Sequence, residues 1–337
     1  MFCGVKFRKK KSADKKDKND YLSKLLEEKY TSIFRPGYVE IDGVTLPRRY
    51  KELKNDIDDF DVFEDDIWIC SFPKTGTTWT QEMIWMIVNN LDFKGGEENL
   101  GHRSPFLEVT SLFDYRKFME NNPDFKPPPF IEDSLGYIKT KKGAICLKTH
   151  LPWNLLPKQI QSGVKQPKII YVSRNPKDTC ISYYHHSKLI EGYNGNFDEF
   201  CELFLGGKLC FAPYWDHVLQ FWKKRDDPNI LFITYEDMKK DLPSVIKTVS
   251  AFLEKNLTEE QVHLLTAHLS FESMKNNKAV NYEMIQELNK KYNLTNGEGT
   301  FMRSGIVGDH KAHMSESMIK KFDLWTKENT KNTQLNY

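Results

Sequence analysis

The chain has 337 residues, of which 39% are hydrophobic and 13% aromatic, so it is long enough to bury a substantial core. Its formal net charge of +2 is unevenly distributed, because residues 1–20 hold eight Lys or Arg against three Asp and the rest is acidic. A basic excess confined to a low-complexity leader, and not spread over a folded face, disfavours a nucleic-acid-binding protein.

Residues 1–20 are predicted to be a disordered basic leader, and residues 21–337 a single domain. Cys3 beside the basic run leaves open a membrane contact through acylation and electrostatic attraction. The start of the chain lacks the apolar core of a secretory signal, and no later run approaches the roughly 18 apolar residues that span a bilayer. We therefore expect a cytoplasmic protein without an integral membrane segment.

The six cysteines show no Cys-x-x-Cys pairing, which predicts free thiols and no disulfide. Two of them, Cys70 and Cys146, lie in apolar strand-like runs, where a buried free thiol is common. The same absence of paired spacing predicts that the chain has no metal site.

After the leader, strand-like and helix-like patterns alternate along the chain. A short helix is predicted at residues 21–30 and an extended stretch around residues 39–44. The apolar run at residues 67–72 predicts a buried strand, which leads through a short turn into a helix from residue 79 to about residue 90. Further strands are predicted at residues 144–147, 169–173 and 230–235, and further helices near residues 177–189, 216–224 and 243–253.

This alternation predicts an α/β fold with a central, mainly parallel sheet flanked by helices, whose ligands bind beyond the carboxyl ends of the strands. Two loop-rich stretches, residues 93–142 and 276–300, interrupt the pattern and are placed to roof an apolar pocket. The other interpretation is that their aromatic residues are ordinary core. In the first stretch these are Phe106, Phe113, Tyr115, Phe118, Phe125, Phe130 and Tyr137.

Residues 72–79 read Phe-Pro-Lys-Thr-Gly-Thr-Thr-Trp between the first buried strand and its helix. In such a P-loop-like unit, the backbone amides of the turn and the positive helix end suit a phosphate group. The segment is not a Walker A motif, because Lys74 precedes the only glycine, and a kinase or ATPase is therefore disfavoured. A turn without a ligand stays open for this segment taken alone.

A second segment of this kind, with polar residues at the end of a predicted strand, lies at residues 171–178. Arg174 offers a planar fork for a phosphate, and Ser182 follows it on the next helix. Together with residues 303–311, which read Arg-Ser-Gly-Ile-Val-Gly-Asp-His-Lys, these segments resemble the three signature motifs of the cytosolic sulfotransferase family. The resemblance extends along nearly the whole chain after the leader.

The resemblance implies transfer of a sulfuryl group from 3′-phosphoadenosine 5′-phosphosulfate (PAPS) to the hydroxyl of a small apolar acceptor such as a phenol, steroid or other alcohol. It implies three groups of cofactor-binding residues. The 5′-phosphosulfate is held by Lys74, Thr75, Gly76, Thr77, Thr78 and Trp79, of which Trp79 also contacts the adenine. The 3′-phosphate is held by Arg174, Ser182, Arg303, Ser304 and Gly305. The adenine is contacted by Tyr235, Leu269, Ser270, Phe271, Glu272, Ser273 and Met274.

Residues 147–152 read Leu-Lys-Thr-His-Leu-Pro and match the family's catalytic segment. A single histidine is more often structural than catalytic, but His150 stands at a strand's carboxyl end. We expect His150 to act as general base in an in-line displacement, Lys74 to stabilise the leaving phosphate oxygen, and Lys148 to neutralise the sulfuryl oxygens. No metal is needed, because cationic side chains supply the neutralising charge.

The chain also departs from the family pattern. His310 stands where the family has Trp, and Lys320 where its homodimer contact has Glu, so a homodimer is possible but its usual contact is altered. Ser304 replaces a Lys beside the 3′-phosphate and Leu269 replaces a Thr beside the adenine, which predicts weaker cofactor binding.

Three alternatives stay open at this stage. In the first alternative, the acceptor is an amine and not an alcohol. In the second, sulfation is the first step in dehydrating an allylic alcohol, as a resemblance to one insect branch of the family allows. The third alternative is a non-catalytic carrier of hydrophobic ligands. A carrier is expected to have lost Lys74 or His150, and both are present.

Overall fold

The computed structural model describes the backbone of residues 3–335 and the side chains of residues 17–335. A short antiparallel hairpin comes first, formed by β1 (Tyr38–Ile41) and β2 (Val44–Pro47). A central sheet of parallel strands follows in the order β4-β3-β5-β6. Its strands are β3 (Ile67–Cys70), β4 (Cys146–Thr149), β5 (Lys168–Ser173) and β6 (Ile230–Thr234). The predicted α/β fold with a parallel sheet is confirmed.

Helices fill the connections between these strands and the chain after β6. In the described residues they are α1 (Cys3–Tyr30), α2 (Tyr50–Asp58), α3 (Thr77–Val88), α4 (Leu100–Arg103), α5 (Val109–Leu112), α6 (Arg116–Asn121), α7 (Pro129–Glu132), α8 (Ser134–Lys139), α9 (Lys158–Gln161), α10 (Pro176–His186), α11 (Phe197–Leu205), α12 (Tyr214–Trp222), α13 (Tyr235–Lys240), α14 (Leu242–Phe252), α15 (Glu259–His268), α16 (Phe271–Asn276), α17 (Glu283–Lys291), α18 (His310–His313) and α19 (Glu316–Thr330). The loop-rich stretches of the sequence therefore contain the short helices α4 to α8 and the helix α17.

The side chains of the sheet alternate between two hydrophobic cores, as the two-residue period of a strand requires. Trp68 and Cys70 of β3 belong to the core that includes residues of α10, α11 and α12. Ile69 belongs to the core that includes residues of α3, α14 and α15. Because helices cover both faces, the strands are apolar along most of their length.

Strand β4 begins at Cys146, two residues later than the sequence predicted. The N–H of Ile145 donates to the Asp66 carboxylate (3.1 Å), and the register with β3 starts at the pair Ile67 and Cys146. The shift carries the strand through Thr149. Lys148 consequently lies inside β4, and His150 is the first residue beyond it.

Helix α1 begins at Cys3, so its backbone extends through the segment that the sequence predicted to be a disordered leader. Side chains of residues 1–16 lie outside the described residues, so a membrane contact through Cys3 stays a prediction. Within residues 3–335, no helix combines the length and the apolar character needed to cross a membrane.

Candidate active site

A cavity opens at the carboxyl ends of the parallel strands. Its lining includes Lys74 after β3, His150 after β4, Arg174 after β5 and Tyr235 after β6. Because the carboxyl ends of parallel strands meet at one edge of the sheet, four segments far apart in sequence converge there. The predicted position of the ligand site is where the structure places this cavity.

The turn between β3 and α3 has an unusual backbone. Lys74 has φ of 69° and Gly76 has φ of 109°, both in the left-handed region. A Cβ at Gly76 would lie 2.9 Å from Cδ2 of Tyr235, so glycine is required there for space as well as for backbone conformation. The hydroxyl of Thr75 donates to the carbonyls of Phe72 and Val172, both at 2.9 Å. These hydrogen bonds hold the turn against β5. Helix α3 begins at the cavity, so the positive end of its dipole lies there.

Four cations line the cavity without an ion pair to an acidic side chain among the described residues: exposed Lys239 at the rim, and the more buried Lys74, Lys148 and Arg174. The three more buried cations are the ones next to the strand ends. Each lies over an aromatic ring, with distances to the ring centroid of 3.7 Å for Lys74, 4.2 Å for Lys148 and 4.2 Å for Arg174. Arg174 also has a buried Nε without a hydrogen-bond partner. Burial, followed by the charges of Lys148 and Arg174, lowers the pKa of Lys74 to about 7. Concentrated, uncompensated positive charge of this kind favours an anionic ligand.

The hydrogen bonds of His150 define its tautomer. Its Nδ1 lies 2.8 Å from the carbonyl oxygen of Ser71, which can only accept, so Nδ1 carries the proton. The lone pair is therefore on Nε2. Burial and the charge of Lys148 hold the pKa of His150 well below its usual value, so the imidazole is neutral at physiological pH. A neutral imidazole with a free Nε2 lone pair can act as a general base.

Two residues that the sequence analysis missed hold the backbone of His150. Glu108 accepts the N–H of His150 (2.6 Å), and His217 donates from Nε2 to the carbonyl of His150 (2.9 Å). Both side chains are almost completely buried. The signal for Glu108 was a single carboxylate in an otherwise apolar run at residues 106–109, where burial of a charge demands partners. His217 gave no comparable signal.

The third motif docks onto α10. Asp178 accepts hydrogen bonds from the backbone N–H of Gly308 (2.6 Å) and of His310 (3.0 Å), and lies 2.7 Å from Nδ1 of His310. The guanidinium of Arg303 pairs with Asp309. His310, which departs from the family pattern, is therefore bonded inside the chain.

The structure brings most of the predicted site residues to this one cavity. Besides the three catalytic candidates, the lining includes Gly76, Thr77, Thr78, Trp79, Arg174, Ser182, Tyr235, Leu269, Phe271, Met274, Arg303, Ser304 and Gly305. Indole Nε1 of Trp79 donates to the carbonyl of Leu269 (2.9 Å), which joins two of the predicted adenine contacts.

Four predicted residues do not line the cavity: Thr75, Ser270, Glu272 and Ser273. The hydroxyl of Thr75 is turned toward strand carbonyls. Ser270 caps α16 by accepting the N–H of Ser273 (3.3 Å), and exposed Glu272 accepts from Asn276 (2.9 Å). The alternation of faces on a short helix explains the result, because only part of residues 269–274 can turn inward.

The far end of the cavity is apolar and aromatic. Phe106, Phe113, Tyr115 and Phe130 contribute from the first loop-rich stretch, and Tyr282 and Ile285 from the second. Phe118 and Phe125 instead pack edge to face at 4.9 Å, and Tyr137 bonds His102 (2.7 Å). Both interpretations of the loop aromatics are therefore right, each for a different subset.

Comparison with known proteins agrees with this site. Residues 64–334 match the family model described as Sulfotransferase domain. Luciferin sulfotransferase of Photinus pyralis is 43% identical over 97% of this chain and 88% of its own length, and amine sulfotransferase of Oryctolagus cuniculus is 36% identical over 90% and 94%. A crystal structure of retinol dehydratase with androsterone and the inactive cofactor PAP matches with a TM-score of 0.82 at 33% identity, covering 95% of both chains. The chain belongs to the sulfotransferase family, and it is a sulfotransferase.

Replacement of Gly76 by Ala tests the close approach of the turn between β3 and α3 to the ring of Tyr235. A left-handed φ costs a non-glycine residue about 1–2 kcal/mol, and the added Cβ would also press on Tyr235. Gly43→Ala is the matched control, because Gly43 has φ of 79° with nothing within 4 Å of its Cβ position. Urea unfolding should show a larger loss of stability for Gly76→Ala than for Gly43→Ala, and equal losses would contradict the contact.

The protonation of Lys74 predicts a pH dependence for nucleotide binding. With a pKa of about 7, Lys74 is positive below pH 7 and progressively neutral above it, so the affinity for an anionic nucleotide should fall as the pH rises. Calorimetric titration with PAP between pH 6 and about 8.5 measures this fall. Lys74→Arg keeps its charge over that range and should flatten the profile, whereas an unchanged profile would assign it to another group.

Proposed function

We propose that this sulfotransferase moves the sulfuryl group of PAPS to the hydroxyl of a small, largely apolar acceptor. The observation that carries the proposal is the meeting of Lys74, Lys148 and Arg174, which have no ion-pair partner among the described residues, with a neutral histidine in one cavity. The cations suit phosphate and sulfate oxygens, and the apolar far end of the cavity suits a hydrophobic acceptor. The PAP bound to the solved relative supports the choice of nucleotide.

The residues fit the nucleotide in two places. Lys74, Gly76, Thr77 and Thr78, at the start of α3, suit the 5′-phosphosulfate. Arg174, with its unsatisfied Nε, suits the 3′-phosphate together with Ser182 and residues 303–305. In this structure Arg303 is paired with Asp309, so full use of Arg303 requires an exchange of that partner.

The reaction follows from the charges around the acceptor. A hydroxyl with a pKa near 10 is a poor nucleophile, and Nε2 of His150 takes its proton as the oxygen attacks sulfur; such general-base catalysis contributes roughly 10²- to 10⁴-fold. A new O–S bond forms while the bond from sulfur to the 5′-phosphate oxygen breaks, which leaves PAP. Lys74 stabilises the charge that develops on the departing oxygen, and Lys148 neutralises the sulfuryl oxygens.

The acceptor itself is proposed only as a class. A phenol, steroid or other alcohol fits the aromatic end of the cavity, and an amine acceptor stays an alternative because an amine sulfotransferase is among the relatives. The structural match to a retinol dehydratase does not favour dehydration, since luciferin sulfotransferase is the more similar in sequence. The carrier alternative is disfavoured because Lys74 and His150 both line the cavity.

We also propose a cytoplasmic location. Five cysteines are free and buried, which is typical of a reducing compartment, and they are Cys70, Cys146, Cys180, Cys201 and Cys210. A homodimer stays a prediction, with its usual contact segment altered and His310 bonded to Asp178. The absence of a metal cofactor likewise stays a prediction.

The decisive experiment is transfer of labelled sulfate from PAPS to a panel of phenols, steroids, aliphatic alcohols, amines and retinoid-like allylic alcohols, with identification of the products. His150→Ala should lower kcat by roughly 10²- to 10⁴-fold while PAP still binds, because the base is lost and the phosphate site is kept. Lys74→Ala should weaken PAP binding and lower kcat. A dehydrated product in place of a sulfate ester would favour the dehydratase alternative.

Matched controls use residues of the same types away from the cavity. His263→Ala and Lys321→Ala change exposed side chains that do not line it, and both should leave transfer unchanged. Failure of the wild-type chain to bind PAP would contradict the proposal outright. Binding of PAP without transfer to any member of the panel would favour the carrier.

A further inference from the structure

Glu108 is a buried carboxylate beside the candidate base, outside the motifs that the sequence analysis singled out. Its two oxygens have different partners on one segment: Oε1 accepts the backbone N–H of His150 (2.6 Å), and Oε2 accepts the hydroxyl of Thr149 (2.8 Å). The hydroxyl of Thr149 in turn accepts the N–H of Leu151 (3.0 Å). One carboxylate thus engages, directly or through Thr149, three consecutive residues centred on His150.

The segment that carries Glu108 also runs along the edge of β4. Lys148 donates its N–H to the carbonyl of Pro105 (2.9 Å), and its own carbonyl accepts the N–H of Leu107 (2.9 Å). Between these two bonds, the ring of Phe106 packs edge to face against His150 at 5.0 Å and lies 4.2 Å from Nζ of Lys148. Residues 105–108 therefore contact both side chains that face the reacting groups.

The same residue begins the wall of the acceptor end. Helix α5 starts immediately after Glu108, and its Val109 and Leu112 line the cavity. The hydroxyl of Ser111 donates back to the carbonyl of Glu108 (2.7 Å), which closes the first turn. Glu108 consequently links two parts of the site. One is the wall against which an acceptor packs, and the other is His150, which would take the proton of the acceptor.

Burial of a carboxylate costs desolvation free energy unless its hydrogen-bond partners offset that cost. Glu108 is fully buried, and burial raises its pKa to about 7 despite the hydrogen bonds from His150 and Thr149. Its two hydrogen bonds reach consecutive residues of the segment that carries His150, and this geometry points to a role in holding that segment.

We propose that Glu108 is a positioning residue that fixes His150 and the acceptor wall relative to each other through its bonds to Thr149 and His150. The inference rests on the proposed function, in which His150 is the base. Glu108 itself does not line the cavity. Its effect is on the geometry of proton transfer, where a displacement of about 1 Å costs on the order of 10²-fold in rate.

The test compares Glu108→Ala with Glu108→Gln. Ala removes both bonds, so kcat should fall roughly 10- to 100-fold, with PAP affinity within about twofold of the wild type. Gln keeps the shape and one carbonyl acceptor for the His150 N–H, so it should recover most of the lost kcat. Rates are expressed per PAP-binding site, so that unfolded protein does not count as loss of activity.

Asp66 provides the matched control. It too is buried, and it accepts two backbone N–H groups, from Phe63 (3.2 Å) and Ile145 (3.1 Å), but at the opposite end of the same strands. Asp66→Ala should lower thermal stability and leave kcat per site unchanged. If Glu108→Ala behaves like Asp66→Ala, with full kcat per site, Glu108 is structural and the proposal is wrong.

A second readout is independent of the acceptor. In protein labelled with ¹⁵N-histidine, Glu108→Ala should shift the ring signals of His150, assigned with His150→Ala, whereas Glu108→Gln and Asp66→Ala should leave them near their wild-type positions. Unchanged ring signals in Glu108→Ala would overturn the inference. Absence of sulfate transfer by the wild type, with these shifts present, would contradict the proposed function alone.

Discussion

The pairing of β3 with β4 on one side and β5 on the other is the constraint on which the site depends. The register sets Cys70 opposite both Thr149 and Tyr171, so the residues that follow on the three strands emerge at one edge. Ser71 is then near enough for its carbonyl to accept from Nδ1 of His150 (2.8 Å). A shift of one residue in either pairing would turn these side chains to the other face and separate His150 from the turn between β3 and α3.

The electrostatics of the cavity follow from that convergence. Strand ends that meet in space bring Lys74, Lys148 and Arg174 together, and burial, followed by the charges of Lys148 and Arg174, disfavours the charged form of Lys74. The pKa of Lys74 is lowered, and the buried Nε of Arg174 has no hydrogen-bond partner. A polyanionic nucleotide would relieve both. Its binding should therefore stabilise the fold by mass action as well as complete the site.

Much of this arrangement could be predicted from the sequence, because short apolar strands followed by polar turns mark the carboxyl ends of a parallel sheet. Lys74 and Arg174 were identified in that way, and His150 by its place at a strand end together with the family resemblance; all three line the cavity. What the sequence could not supply is the direction of individual side chains. Thr75 turns its hydroxyl to the strands, and Glu272 faces solvent, although neighbours of both line the cavity.

Long-range partners were also beyond prediction. Glu108 lies 42 positions before His150, and only the fold shows that its carboxylate meets that backbone N–H. The predicted start of β4 was two residues too early for a related reason. The hydrogen bond from Ile145 to Asp66 is a tertiary contact that no local pattern encodes. Local sequence thus predicted the elements and their order, while the bonds that hold His150 depend on residues from distant segments.

The departure from the family pattern at His310 leaves the segment at residues 303–311 bonded to α10. The carboxylate of Asp178, on the first turn of α10, receives two backbone N–H groups from residues 308 and 310 and the ring nitrogen of His310. The loop that carries Arg303 is therefore bonded to α10. This helix carries Ser182 and begins shortly after Arg174. Because residues from both motifs are proposed to hold one phosphate, this anchor fixes their separation before the nucleotide arrives. Less conformational entropy is then lost on binding, which offsets part of the affinity expected to be lost with Ser304 in place of a lysine.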